Sequence, residues 1–357
     1  MELTLHKFDP KTTSPQEWEK YHAFRLLRHQ ETKPDDEFTA NELVEKSMKQ
    51  TNPMAREYRF LVKDGNEVIG SLSLGVLRED SEGYEANKNL LQASGALLPQ
   101  YRSKGLGDAL LKVLYEIALK EDKSTIIIPS SEEAGIGYLK RIGAKVAMDS
   151  AENRLEFSEI DWELVESWVA EGEQRNPTTS LRTWSRIPDE EIDKYSIVLT
   201  EVNNQQPLDD MDVNDMIMSS DIIREREDQL HELGADFITM VTQEADGAIS
   251  GLTEMIKIPG KKQLQQELTG VQEQYRGRGL GKWLKAAMLL YIRDKYPDTT
   301  RISTGNANSN APMLSINERL GFKRHKSVVN AQITRDEMET YLNSREIIDL
   351  PMTVMKT

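Results

Sequence analysis

The sequence predicts two copies of one α/β domain arranged in tandem. Length is the first indication: 357 residues suit about two domains at roughly 150 residues each. Internal repetition is the second. Gln100-Tyr101-Arg102-Ser103-Lys104-Gly105-Leu106-Gly107 recurs as Gln274-Tyr275-Arg276-Gly277-Arg278-Gly279-Leu280-Gly281, an offset of 174. Tyr138 to Ala144 is echoed by Ile316 to Phe322 at an offset of 178, and Ile160 to Trp168 by Ile333 to Tyr341 at 173. Three echoes in one order at nearly one offset indicate duplication of a single domain.

The elements of the first copy follow from local pattern. A strand from Leu3 to Phe8 precedes helices near 15–29 and 38–49. Strands are expected near Arg59–Lys63, Glu67–Val76 and Leu90–Leu98, with Gly65-Asn66 as a hairpin turn between the first two. A glycine-rich turn then opens a helix whose apolar stripe is Leu110, Leu111, Leu114, Ile117 and Ala118. A strand over Ser124–Ile128, a helix near 132–142 and terminal strands complete the copy. The second copy starts near Ser180 and repeats the order. Its strands fall at Phe237–Thr242, Ala248–Ile258 and Leu264–Val271, its hairpin turn at Asp246-Gly247, and its apolar stripe on Leu284, Ala287, Met288 and Tyr291. In the third echo Asp161 and Thr334 are N-cap types, and Thr334 with Glu337 forms a capping box. Gly172 to Pro177 breaks the helix between the copies. The expected domains are therefore 1–176 and 177–357.

Composition narrows the function. The net charge is −15, from 45 bases and 60 acids, which argues against unaided nucleic-acid binding. Absence of cysteine excludes disulfides, thiolate metal sites and a cysteine nucleophile. The five histidines, His6, His22, His29, His231 and His325, lack metal-ligand spacing, so no metal is expected. Met1 to His6 carries no secretory signal pattern. Ile126-Ile127-Ile128 reads as a buried strand, far short of the roughly 20 apolar residues of a membrane span. A cytoplasmic protein without a membrane partner is expected.

The glycine-rich turn suggests anion binding. An Arg-x-x-Gly-x-Gly turn after a strand and before a helix lets backbone approach a ligand. It also aims helix N-terminal amides at an anion, such as a pyrophosphate. Arg276, Arg278 and Lys282 add positive charge there. Gly277 and Gly281 are too close for a Walker A loop, and Trp283 follows Lys282 where Ser or Thr is needed. The spacing also misses the dinucleotide fingerprint.

On these residues the chain resembles the GNAT superfamily of acyl-CoA-dependent N-acyltransferases, in a tandem arrangement similar to mycothiol synthase. Both copies match the Arg/Gln-x-x-Gly-x-Gly/Ala signature in full. Asn310-x-x-Met313-x-x-x-Asn317-x-x-x-Gly321-Phe322 is similar to a second family motif. The resemblance implies two domains, each a mixed, mostly antiparallel sheet flanked by helices. It implies acetyl-CoA as co-substrate, its pyrophosphate on the amides of Arg278, Gly279, Leu280, Gly281 and Lys282 beside Arg276 and Gly277. The pantetheine arm would pair with Val271, Gln272 and Glu273, and Asn310 would help hold it. An amine would attack the thioester directly in a ternary complex.

The second copy keeps more of the family pattern. In the first, the later motif reads Glu132-x-x-Gly135-x-x-x-Leu139-x-x-x-Gly143-Ala144, with an anion for the amide. Catalysis is therefore expected in the second copy. The first would be non-catalytic, its Arg102, Lys104, Gly105 and Gly107 either holding cofactor unproductively or serving as a tight turn. The family's usual acid, a tyrosine, is absent: Asn317 stands there, able to hydrogen-bond but not to act as an acid. Asn317 either contacts the cofactor or only orders its helix. An amine protonated at neutral pH needs a base. Glu267 on the fourth strand is the candidate, and Glu254 on the third its competitor. Residues 189–232 hold 14 acids and three bases, either a negative mouth for a cationic amine or a solvated face.

Acetyl transfer to a primary amine of a small cationic molecule is the leading expectation. A non-catalytic acyl-CoA-binding sensor or scaffold is the alternative. Modification of a protein amine is a third reading, which would need an open acceptor groove.

Overall fold

The computed structural model describes residues 2–353. Its first half contains β1 (Leu3–Lys7), α1 (Pro15–Thr32), α2 (Asn41–Lys49), β2 (Ala55–Asp64), β3 (Glu67–Leu77), α3 (Tyr84–Asn87), β4 (Leu90–Leu97), α4 (Leu106–Lys120), β5 (Thr125–Ser130), α5 (Glu133–Arg141), β6 (Lys145–Glu156) and α6 (Trp162–Arg175). The second half contains β7 (Ser180–Trp184), α7 (Ile192–Asn204), α8 (Ser220–Glu232), β8 (Asp236–Gln243), β9 (Ile249–Lys257), β10 (Gln263–Val271), α9 (Leu280–Lys295), β11 (Arg301–Ala307), α10 (Ala311–Leu320), β12 (Lys323–Thr334), α11 (Arg335–Asn343) and β13 (Met352–Thr353). The duplicated order expected from the sequence is present. Local chemistry explains several boundaries. Ser14 caps α1 by accepting from the Glu17 amide, with Pro15 in the first turn. Thr334 and Glu337 form the anticipated capping box at α11.

The chain forms two compact units. The first comprises Met1–Met148, Asp210–Asn214 and Val328–Thr357, and the second Asp149–Asp209 and Asp215–Ser327. This division corrects the expected domains 1–176 and 177–357. The physical reason is an exchange of C-terminal elements between the copies.

In the first unit the sheet runs β13-β1-β2-β3-β4-β5-β12. The second half of the chain supplies its strand beside β5, with Val329↔Ser130 through Thr334↔Thr125 antiparallel. Ala331, Ile333, Met338 and Leu342 join the core that contains Leu91, Leu114 and Ile126, and α11 packs on α4. In the second unit the sheet runs β6-β11-β10-β9-β8-β7. Residues from the first half, Ser150 to Glu156 of β6, pair antiparallel with Ala307 to Arg301 of β11. Leu155, Ile160, Val165 and Trp168 enter the core built on Leu284, Met288 and Ile292, and α6 packs on α9. Gly172 makes that helix contact close: a Cβ there would lie 2.3 Å from Trp283 Cγ.

Each sheet is mixed and mostly antiparallel. β4 runs parallel to β5, β10 parallel to β11, and β1 parallel to β13, whereas the β1–β2–β3–β4 and β7–β8–β9–β10 ladders are antiparallel. Among the described residues no helix is long and apolar enough to cross a membrane.

Candidate functional site

Both copies open a gap between the same two strands. The β4–β5 ladder ends at Gln92↔Ile127, and the β10–β11 ladder at Gln266↔Thr304. The β4 and β10 ends correspond at an offset of 174 and the β5 and β11 ends at 177, close to the 178 of the later motif. A register irregularity between Gln266 and Thr269 bends β10 away at this point. Beyond each gap the chain makes a short 3₁₀ turn and the glycine-rich loop, then enters α4 or α9. Gly105 and Gly279 precede those helices with φ of 81° in both copies, a left-handed conformation that disfavours side chains. The helix N-terminal amides thus open toward the loop, as anion binding requires.

The leading arginine of each loop does a structural job. Arg102 Nε donates to the Leu97 carbonyl at 3.1 Å, and Arg276 Nε to the Val271 carbonyl at 3.4 Å. Each guanidinium also reaches the end of the first helix of its copy. Arg102 pairs with Glu31 at 2.7 Å, and Arg276 bonds Gln205 just past α7. Two further loop cations of the second copy, Arg278 and Lys282, are paired with carboxylates rather than left for an anion, which revises the charge expected at the turn. Arg278 pairs with Glu244 at 3.1 Å and also bonds Asn176 and Thr179, while Lys282 pairs with Glu171. Lys104 lies over the Tyr101 ring. Attraction for an anion at Gly277 to Lys282 therefore rests chiefly on backbone amides.

The first copy holds a cleft of about 400 Å³ bordered by Gly105 and Gly107. Leu72, Ala93, Leu110, Leu111, Leu114 and Leu139 line it with apolar surface. Glu132 starts α5 in place of the motif's asparagine and pairs with Arg28 and Arg102. Tyr138 fills the space beside Gly107, where a Cβ would approach its ring to 2.8 Å. Its hydroxyl donates to the Gly107 carbonyl at 2.8 Å, and burial raises its pKa far above the ordinary value. Tyr138 braces the loop and holds its proton.

The second copy carries polar groups in this region. Lys285 Nζ donates to Gln266 Oε1 and to Asn317 Oδ1, each at 2.7 Å. Asn317 Nδ2 donates to Asn306 Oδ1 at 2.8 Å. Asn317 thus belongs to a buried network, not only to its helix. Asn310 caps α10 by accepting from the Met313 amide at 3.3 Å, a helix-ordering role beside the cofactor role implied by resemblance. The stretch assigned to pantetheine pairing is partly engaged. The Gln272 amide donates to the Ser250 carbonyl at 3.0 Å, and the Glu273 amide to Glu201 Oε1 at 3.1 Å. The strand edge nearer the gap, from Glu267 to Gly270, is the stretch past the last β11 pairing.

The two candidate bases share one arginine. Arg226 on α8 lies 3.3 Å from Glu254 Oε2 and 3.5 Å from Glu267 Oε2. Glu254 is 2% exposed and also accepts from the Tyr195 hydroxyl at 2.7 Å. With one oxygen on Tyr195 and the other on Arg226, Glu254 is the less available of the two bases. Glu267 is 32% exposed, and among the described residues its ion pair is the long one to Arg226. Burial raises its pKa against the opposing pull of Arg226, and the Glu254 charge raises it further.

Residues 18–144 match the Acetyltransferase (GNAT) family. The sequence matches none of the curated proteins. Among solved structures, a tandem GNAT protein from the clavulanic acid biosynthesis pathway superposes with TM-score 0.74 at 21% identity, covering 94% of this chain and 99% of that one. The protein is a tandem GNAT-fold chain. A GCN5-related N-acetyltransferase from Sphaerobacter thermophilus gives TM-score 0.60 at 15% identity, covering 99% of each chain. A GCN5-related glucosamine N-acetyltransferase region of a fungal β-N-acetylglucosaminidase gives 0.62 at 11% identity, covering 93% of this chain and 38% of that one.

The tandem GNAT fold makes the copies comparable position by position. At the 174 offset, Ala93 and Leu111 of the first cleft correspond to Glu267 and Lys285; at 178, Leu139 corresponds to Asn317. Three apolar cleft positions in one copy are thus a carboxylate, an amine and an amide in the other. Sequence reasoning singled out Glu267 and Asn317 but passed over Lys285, Arg226 and Gln266. The offset that aligns the loops also aligns Lys285 with a buried leucine, and that substitution was the available signal.

Proposed function

We propose that this tandem GNAT protein transfers an acyl group, acetyl in the simplest case, from acyl-CoA to the primary amine of a small molecule, with the chemistry in the second copy. The observation that carries the reading is the contrast at the three matched positions, where only the second copy has groups that bind or move protons. The amides at Gly279 to Lys282 would hold the pyrophosphate of CoA. Glu267, with its raised proton affinity, would take a proton from the substrate ammonium, giving the neutral amine that attacks the thioester. The absence of cysteine supports direct attack over a cysteinyl intermediate. The acid-rich 189–232 segment supports a cationic acceptor, although several of its acids are already paired, including Asp189 and Glu227 with Arg224 and Asp228 with Arg186.

Thiol release from acetyl-CoA with polyamines, aminoglycosides and amino acids tests the reading. Turnover with at least one amine, abolished by Gly279→Asp and retained by Gly105→Asp, is expected. Activity that survives Gly279→Asp but not Gly105→Asp would move the chemistry to the first copy. A second reading, a non-catalytic acyl-CoA binder, draws on the cleft of the first copy, which has room for a ligand and apolar side chains at all three matched positions. Binding of CoA without turnover across the whole panel would select it.

A further inference from the structure

The proposed reaction leaves one proton without a donor. When the C–N bond forms and the C–S bond breaks, the thiolate departs with the electron pair and requires a proton. Asn317, whose amide is not an acid, cannot supply it. Lys285 lies beside it, 2% exposed within α9. A lysine at such depth is costly without an opposite charge beside it, and a leucine fills the matched position of the first copy without that cost.

We propose that Lys285 is the proton donor to the departing CoA thiolate. The proposal rests on the reading that the second copy carries out the transfer. Its geometry is the argument. Gln266 Oε1, at the last β10–β11 pair before the gap, and Asn317 Oδ1 on α10 hold Nζ from two sides at 2.7 Å each. The Phe322 ring lies 5.2 Å from Nζ on a third. None of these neighbours is charged. The matched Leu111 and Leu139 of the first copy both line its cleft, and Lys285 and Asn317 stand at the corresponding places of the second, each 2% exposed. Both oxygens accept, so the site holds either the ammonium or the neutral amine. Burial alone pushes the Lys285 pKa down to about 7, and both forms exist near neutrality.

The protons balance. The substrate ammonium releases one proton to Glu267 and then to solvent. The ammonium of Lys285 gives one to sulfur, forming the free thiol. The second proton lost by the acylated nitrogen passes to solvent, and Lys285 is reset by one proton from solvent.

The test compares leaving groups. In Lys285→Met, kcat with acetyl-CoA should fall about 100-fold, the lower end of general-acid effects, while the dissociation constant for CoA measured by calorimetry stays within threefold. An acetyl thioester of an arylthiol pantetheine analogue has a leaving thiol of low pKa and needs no proton. With it, Lys285→Met should approach the wild-type rate. A variant within threefold of wild type on acetyl-CoA, or one equally impaired with both donors, overturns the proposal. If Lys285→Met does not fold, the wild type decides alone: its rate should vary little across a series of thiol pKa values, and a steep dependence overturns the assignment. Steep dependence with turnover rejects Lys285 only, whereas CoA binding with no turnover on any amine rejects the proposed function as well.

Discussion

Two helical glycines should respond with opposite sign to the same substitution. Gly172 lies within α6 and Gly137 within α5. Replacing a helix-interior glycine by alanine gains about 1 kcal/mol where space permits. Space differs completely at the two sites. A Cβ at Gly172 would lie 2.3 Å from Trp283 Cγ and 2.7 Å from its Cβ and Cδ1, whereas nothing lies within 4 Å of one at Gly137. Trp283 is 2% exposed within the core of the second unit, so the indole has little freedom to yield. Overpacking of this kind costs roughly 3 kcal/mol at its upper range, and the helix gain offsets about 1 kcal/mol of that. Gly172→Ala should therefore lose about 2 kcal/mol, or about 4–8 °C in Tm for a unit of this size. Gly137→Ala should gain up to about 1 kcal/mol. Urea unfolding followed by tryptophan fluorescence and circular dichroism measures both. Equal shifts of the same sign would refute the close α6–α9 contact and the exchange it anchors.

Four other outcomes follow from the geometry. Met338→Ala should destabilise the first unit by about 2–5 kcal/mol, as deletion of a buried core side chain does, because Met338 is 0% exposed there; urea unfolding reads the loss. Thr334→Ala should cost about 1 kcal/mol through loss of its cap, again read by urea unfolding. In a pH–rate profile, kcat/KM should rise through a limb above the ordinary carboxylate range, since the Glu267 pKa is raised and the ionised form is the base; Glu267→Gln should remove that limb, and an unchanged profile excludes Glu267. The Lys285 pKa is lowered to about 7, so the unfolded chain binds more protons between there and the free value near 10.4. Wild-type stability relative to Lys285→Met should therefore rise with pH across that window, and a pH-independent difference in thermal or urea unfolding contradicts the burial of Lys285.

Much of the architecture could be read from sequence because the decisive signals are local. Glycine pairs, capping residues and apolar stripes identified both loops and their helices. The exchange of terminal elements could not be read in this way. β6 and β12 correspond in the repeat, and each completes a sheet beside β11 or β5. Swapping them preserves every burial pattern, so periodicity carries no information about which copy each joins. Lys285 was missed for a related reason. A basic residue between Leu284 and Ala286 reads as an exposed helix position, and only β10 and α10, brought over it by the fold, bury it. Glu254 was overrated because Tyr195 and Arg226 lie 59 and 28 residues away in sequence. Asn310 shows the converse case, where a motif position also performs an ordinary capping task.

The exchange also dictates an order of events during synthesis. The first unit lacks the strand beside β5 and the helix against α4 until residues 328–343 have been made. An N-terminal half released on its own would present β5 as an open edge and leave the Leu114 and Ile117 face of α4 uncovered, a state prone to pairing with other chains. The C-terminal half alone would lack the partner of β11 and the helix against Trp283. Neither half is a transferable module. Separating the genes for the two copies would yield two incomplete proteins that could regain their cores only by finding one another.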